Sequence, residues 1–565
     1  MLHALLSRGP GGTARRLLVT VLAAALTVSV AWAGAVIAPA PDIDAAVGTA
    51  SGALDAFEVV DDAPLGAGQL LVGAAKVSLY PDPEGMAATF PGATWLQGEE
   101  NAAACTTLSE SFFTESLGDP EHPAHLATAT ASPWPENPDC LYQGGFGIGP
   151  VNPILDWDRA PGDPGYVADD DPETGYGLFA RTLVLSDGDD TAVITVIDAE
   201  GFLYEYANKC VPSQLPVGCG SREIAERLGG ELDIDPSAFV IASTHSHASV
   251  DLLGGWGYVP DWYFNQAYGA IEQSIREAHT NMVPAHVEVG EERARQFNSE
   301  RRDTYRSAEE QQLAWLRAVD AEDGDVIATV GAYAAHPTSY GNNNATAHAD
   351  WVGVFTRRLE DRFGGMGMHL MTGLGNMTNR SGRTGSTALA DLIPAVGEGH
   401  VLTTTDVRST ATIWQQPVTN APLNALGLPG FFDRTFVPTP ATIRTGKTPE
   451  TAPCLSASPT SVELQASAIR IGEDFALSAA PGEVFANLTN TVKERSPALV
   501  TMPLGQANDA LGYMPQQFEL NEANMQGAGF VAGGVLVVNY EDSYAVDRCT
   551  GDMVLESTIA MLGEL

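Results

Sequence analysis

From Tyr176 onward the chain alternates two kinds of hydrophobic pattern. Apolar runs of β type, "LFARTLVLS" (178–186) and "TAVITVIDA" (191–199), predict strands. The next segment, "SREIAERLGG" (221–230), opens with Ser221 and places Glu223 early, which predicts a helix. The pairing then recurs: "AFVIAST" before "DWYFNQAYGAIEQSIREAH", "DVIATVGAYAA" before "DWVGVFTRRLEDRF", "MHLMTGL" before "STALADLIPAV", and "FALSAAPGE" before "VFANLTNTVKER". Such alternation predicts an α/β domain of layered mixed sheets with flanking helices, over residues 171–565. Residues 42–170, rich in Ala, Gly, Pro and Asp, read as a loop-rich lead-in, and no internal repeat is visible.

The unusual polar residues recur at one kind of place. His245 and His247 in "ASTHSHASV" follow one predicted strand, His336 in "YAAHPTSYGNNN" a second, "GLGNMTNRSG" a third, and Glu483 in "AAPGEVF" a fourth. Ligands of α/β sheets bind beyond the carboxyl ends of strands, so these motifs predict one site there. On an extended segment residues i and i+2 project to the same side, so both imidazoles of the His-x-His pair reach toward one point. Two histidines with one carboxylate suit a catalytic zinc, because such a set leaves a position open. Each residue also has a plain alternative: a polar strand end for the histidines, and a helix N-terminus favoured by the dipole for Glu483. His122, His125 and His348 read as ordinary loop histidines.

Charge and cysteines narrow the setting. Acids outnumber bases 71 to 29, a formal charge of −42, which opposes phosphate backbones and excludes nucleic acid as a natural partner. Arg8, Arg15 and Arg16 precede an uncharged stretch from Leu17 to Pro41 with a cleavage-like "AWA" ending at Ala33. Residues 1–41 therefore read as a signal peptide or as an N-terminal membrane anchor with the rest of the chain outside, secreted or at the cell surface. The six cysteines all follow that segment and predict disulfides, with Cys210 and Cys219 pairing locally and Cys105, Cys140, Cys454 and Cys549 open to three pairings.

The segments "GLFARTLVL", "IASTHSHASV", "GAYAAHPTSYGNNN", "HADWVG", "TGLGNMTNRSG", "SAAPGEVF" and "GQANDALGYMPQQFE", in that order, resemble the catalytic domain of the neutral (non-lysosomal) ceramidases. That resemblance implies a zinc-dependent amidase cleaving the N-acyl bond of a ceramide-like lipid to fatty acid and sphingoid base. It implies His245, His336, Glu483 and Tyr513 as zinc ligands, with His247 beside the metal for substrate binding or catalysis. Asp350 and Asn508 are candidates for the shell behind the ligands, Asp350 either accepting a histidine N–H or capping the helix that follows it.

The chain departs from the family in places. The family's serine loop, Gly-Asp-x-Ser-Pro-Asn, stands here as "GNMTNR", with Asn376 at the Asp, Thr378 at the Ser and Asn379 at the Pro. Thr378 keeps a hydroxyl for orienting water or substrate, and Ser381 is its substitute if the loop is shifted. The family's Arg-Ser-Pro segment is only echoed in "FNSERRDTY", which assigns no role to Arg301 or Arg302. The chain also ends at "TIAMLGEL" without the family's further β-sandwich, so an esterase on the same zinc and a non-catalytic ligand-binding protein stand as alternatives. An acyl pocket lined by "LLGGWGYVPDWYF" competes with a core role for that run, and oligomeric state is open.

Overall fold

The strands of five residues or more are β1 (Leu70–Ser78), β2 (Phe179–Ser186), β3 (Thr191–Ile197), β4 (Phe239–Ser243), β5 (Val283–Arg293), β6 (Gln312–Asp320), β7 (Val326–Tyr333), β8 (Met366–Met371), β9 (Val407–Pro417), β10 (Ser461–Ile471), β11 (Phe475–Ala479) and β12 (Val500–Leu504). The longer helices are α1 (Ser221–Leu232), α2 (Asp261–Thr280), α3 (Asp350–Phe363), α4 (Ala486–Arg495) and α5 (Thr550–Glu564). This computed structural model describes residues 65, 68–81, 91–92, 94–106, 134, 136–146, 150–168, 175–207, 209, 219–302, 308–427, 433–434, 436–528 and 539–565. The N-terminal segment 1–41, His122, His125 and Cys210 lie outside them. Among the described residues no helix is long and apolar enough to cross a membrane.

The first sheet runs β8-β7-β6-β5-β1-β2-β3-β4, with the short strand His400–Val401 added against β5. Its outer pairs, β7 with β8 and β3 with β4, are parallel, and the interior pairs are antiparallel. β1 sits in the middle of this sheet although it comes from the stretch read as a lead-in. The second sheet, β9-β10-β11-β12, is antiparallel except for its parallel β11–β12 pair.

The period of two along β2 explains the layering. Leu183 and Leu185 face the second sheet, packing in one core with Ile469, Leu477 and Met502, while Ala180 and Val184 face α2 and pack with Ile271 and Ile275. β3 divides the same way, with Ile194 and Val196 inward and Val193 and Ile197 toward the helix. A further core joins α3 to β6 and β7 through Trp351, Phe355, Leu313 and Tyr333, and α5 covers β10. The order of layers is thus helices, sheet, sheet, helix, and each large side chain so buried contributes about 1.5–3 kcal/mol. Of the aromatic run 252–264, Leu252, Val259, Trp262, Tyr263 and Phe264 belong to the core between α2 and the first sheet.

One local feature brings the two far edges of the first sheet together. The sheet curls until β8 lies within 8 Å, Cα to Cα, of β3 and β4. Residues 505–508, leaving β12, fill the seam. Gly505 N–H donates to Met371 O at the end of β8 (3.0 Å), Ser243 N–H of β4 donates to Gln506 O (2.9 Å), and Asn508 N–H donates to Ile241 O (2.7 Å). The carboxyl ends of the parallel-paired strands therefore open on one place.

Two disulfides close the open pairing question: Cys105–Cys140 and Cys454–Cys549. Cys219 is also disulfide-bonded, and no described cysteine is free.

Candidate metal centre

His245 leaves β4 with φ 57°, and Gln506 (51°) and Asn508 (66°) beside it share that left-handed backbone. Such conformations cost non-glycine residues about 1–3 kcal/mol each and gather at functional sites. Asn508 holds the bend, accepting Ile241 N–H on Oδ1 (3.0 Å) and donating Nδ2–H to Ser467 Oγ (3.0 Å). It is a backbone staple behind His245 and does not touch the imidazole.

The two histidines assigned to metal have their tautomers fixed by backbone. His245 Nδ1–H donates to Glu200 O (2.7 Å) and His336 Nδ1–H donates to Met377 O (3.0 Å). A carbonyl only accepts, so in both rings the proton sits on Nδ1 and the Nε2 lone pair faces inward. This is the outer contact that metal-bound histidines ordinarily have. His247 differs. Its Nε2 lies 3.3 Å from His245 Nε2, its buried Nδ1 has no hydrogen-bond partner among the described residues, and its ring packs edge-on to Phe146 at 5.0 Å. By that criterion His245 and His336 have the outer contact of a metal ligand and His247 lacks it.

Glu483 reaches the same point. Its Oε2 is 2.9 Å from His336 Nε2 and 3.6 Å from His245 Nε2. The short strand Glu483–Val484 pairs in parallel with Tyr513–Met514, which sets Tyr513 directly beside Glu483. Burial is nearly complete, and it pushes His245 down to about 4, with His247 and His336 well below the ordinary histidine range. Burial likewise raises Glu483, opposed by His245, Arg301 and the Tyr513 hydroxyl. With their ring protons on Nδ1, His245 and His336 turn their lone pairs toward the Glu483 carboxyl group. A ring nitrogen and a carboxyl oxygen 2.9 Å apart must share a proton or a cation, and a cation placed there meets His245, His336 and Glu483 together. The nitrogen donors of His245, His247 and His336 all lie within 4.8 Å of one another. The residues present fit a zinc ion held by His245, His336 and Glu483, with Tyr513 at hand.

Sequence reasoning passed over Arg301. Its Nη2–H donates to Tyr513 Oη (2.8 Å) and to Gly375 O (3.1 Å), and its Nε–H to Glu541 (3.0 Å). Tyr540 Oη lies 3.3 Å from Tyr513 Oη, completing a buried row of hydroxyls and guanidinium. Arg302, next in the chain, anchors the segment through Asp542 (2.9 Å). The short strand Asn298–Glu300 that precedes these arginines has no hydrophobic period of its own, so only the echo of an Arg-Ser-Pro segment pointed to it.

The remaining candidates divide. Thr378 lies in the short strand Met377–Asn379, half-buried, its backbone bridged to His336. Asn376 faces away from the histidines: its Oδ1 accepts Ala486 N–H at the start of α4 (2.8 Å) and its Nδ2 donates to Ala308 O (2.9 Å). Asp350 accepts the N–H groups of Tyr340 (3.0 Å) and Trp351 (2.7 Å), fixing the loop after His336 and the first turn of α3. It receives no histidine N–H, because both Nδ1 protons already lie on carbonyls. Ser381 N–H donates to Asn379 Oδ1 (2.9 Å), making it a turn residue. His348, read as a loop histidine, is buried, with Nε2 3.1 Å from Asp158 and its ring 4.4 Å from that of Tyr340.

No family model matches this chain, and no curated protein matches it in sequence. Among solved structures it is similar to the neutral ceramidase from Pseudomonas aeruginosa, with a TM-score of 0.52 and 15% identity over 89% of this chain and 75% of that one. It is also similar to a ceramidase complexed with C2, with a TM-score of 0.51 and 13% identity over 87% of this chain and 74% of that one. The fold is that of the neutral ceramidase structures.

Proposed function

We propose that this chain is an exported, zinc-dependent amidohydrolase of the neutral ceramidase type, cleaving the N-acyl amide of a lipid-like amine. The observation that carries the reading is the buried, acceptor-rich cluster of His245, His336 and Glu483, whose two imidazoles are each held in the ligand tautomer by a backbone carbonyl. The shared fold adds to it.

Zinc held there supplies Lewis acidity toward the carbonyl and water activation near neutral pH. The rest falls to the chain's own side chains. Arg301 donates to Tyr513 Oη and holds the phenol beside Glu483, where its O–H would turn from that carboxyl to the oxyanion as it develops. A donor of that kind is worth about 3 kcal/mol in the barrier. His247, neutral and with an unpartnered Nδ1, carries the proton to the departing amine nitrogen. Thr378, next to His336, orients water or the substrate amide. Gly145 and Phe146 wall His247 from solvent. Export is supported by the basic-then-apolar start of the sequence and by the disulfides, which persist in oxidising compartments.

The test is elemental analysis of the purified protein beside His245→Ala and Glu483→Ala, with turnover of an N-acyl sphingosine and of the matching acyl ester measured in parallel. About one zinc per chain, lost in both variants together with amide turnover, is the expected result. Zinc with ester turnover alone replaces the amidase reading by the esterase one. A zinc-free wild type overturns both.

A further inference from the structure

Two loops run side by side out of the metal centre, and their outer ends are basic in a protein that is otherwise strongly acidic. The loops are joined at the base, where His336 N–H donates to Met377 O (3.1 Å) and His336 is bridged to Thr378. They meet again further out, where Arg383 Nη1–H donates to Tyr340 Oη (2.9 Å) and the guanidinium lies 4.3 Å from that ring's centroid. Between these points Asn379 Oδ1 accepts the N–H groups of Ser381 and Gly382, which shapes the turn, and Arg380 N–H donates to Phe297 O (2.9 Å). Arg380 is exposed and Arg383 half-buried.

Among the described residues neither guanidinium is ion-paired to a carboxylate, although the chain holds 71 acids to 29 bases. The carboxylates around Tyr340 are engaged elsewhere: Asp350 accepts the N–H groups of Tyr340 and Trp351, and Asp158 lies 3.1 Å from His348 Nε2. The sequence of the loop points the same way. Where the related pattern ends in a neutral Asn, this chain has Arg380, one charge unit toward positive at the outer end of the loop. Arg380 lies two residues beyond Thr378, about 7 Å along extended chain. Arg383, stacked on Tyr340 and using one of its five donors there, presents the rest of its fork preorganised for a planar anion.

We infer that the substrate carries an anionic group, a carboxylate or a phosphate, on the amine side of its amide bond, and that Arg380 and Arg383 bind it. This rests on the amidase reading and narrows it, from neutral sphingoid amides to N-acyl amino acids or N-acyl amine phosphates. An arginine fork on an anion gives paired, charge-assisted hydrogen bonds, which a neutral head group cannot match.

The experiment is isothermal calorimetry on the zinc-loaded protein with three probes that an amidase does not cut: N-dodecylsulfonyl-glycine, N-dodecylsulfonyl-ethanolamine phosphate and the neutral N-dodecylsulfonyl-glycinamide. At least one anionic probe should bind tenfold or more tightly than the neutral one, the preference should shrink with added salt, and it should fall to about one in Arg380→Gln/Arg383→Gln. Whichever anion binds more tightly identifies the source. Equal affinity for all three probes, no measurable binding of any, or a preference that survives in the double variant overturns the inference. Hydrolysis of N-lauroylglycine and of N-acyl sphingosine is followed separately. Failure of both sinks the amidase reading, whereas the calorimetric preference is read whether or not a bond is cut.

Discussion

Substituting Gly145 by Ala isolates the role of His247 without touching any proposed metal ligand. Gly145 has φ +80°, and a Cβ built on it comes closer than 3.0 Å to Nδ1, Cε1 and Cγ of His247. Ordinary contact begins at 3.4 Å, so the imidazole must retreat by roughly 1 Å, a displacement that costs about 10²-fold in rate when the group is catalytic. The left-handed backbone adds its own penalty, about 1–2 kcal/mol of stability for any residue with a Cβ. Gly188→Ala controls for that second effect, because Gly188 has φ +97° with nothing within 4 Å of its Cβ position. Both variants should lose similar stability in urea. Only Gly145→Ala should lose about two orders of magnitude in kcat for N-acyl amide hydrolysis, with zinc content unchanged because the Nδ1 anchors of His245 and His336 are untouched. Equal kcat in the two variants refutes the assignment of His247 as proton carrier.

Two other outcomes test the scaffold. Burial raises Glu519 from its ordinary 4.5 to about 7, so the folded chain binds this proton more tightly than the unfolded chain does. The associated stability is full below pH 4.5 and is lost as pH rises to 7, on the order of 3 kcal/mol, and Glu519→Gln should flatten that part of the profile in urea titrations from pH 4 to 8. The Cys454–Cys549 bridge spans 95 residues, so Cys454→Ala/Cys549→Ala should cost about 4–5 kcal/mol by loop entropy, measured as a shift of the denaturant midpoint under non-reducing conditions.

Much of the fold was legible because hydrophobic period and strand direction are local properties. The alternation in β2 and β3, and the placement of His245, His336 and Glu483 just past strand ends, could be read without coordinates. What was not legible depends on partners with no side-chain signature. His245 and His336 are held by the carbonyls of Glu200 and Met377, and any residue type offers a carbonyl. Asp350 has the chemistry to hold a histidine but spends both oxygens on backbone N–H groups, and Asn508 does likewise with Ile241 and Ser467. β1 escaped notice because it is an isolated run of small and apolar residues in a Gly- and Pro-rich region, with its pairing supplied by β2 and β5, far along the chain. Arg301 escaped for the same reason as its short strand, since only tertiary structure brings it to Tyr513.

The seam made by residues 505–508 gives the proposed metal centre an unusual thermodynamic reach. One imidazole follows β4 at one edge of the sheet and the other follows β7 beside the opposite edge, and the peptide that joins those edges is contributed by a strand of the other sheet. No single hairpin or helix pair contains the centre, so a partly folded chain has no reduced version of it to offer an ion. Occupancy therefore acts on the cooperative folding equilibrium as a whole, by mass action on the native state alone. Chelation should lower the global unfolding midpoint, and should leave no separately melting region that would mark a locally stabilised site. In a chain synthesised from its N-terminus, His245 emerges more than 250 residues before the seam that completes its surroundings. Ion capture would then coincide with the last steps of folding, and loading would report that the whole domain had closed.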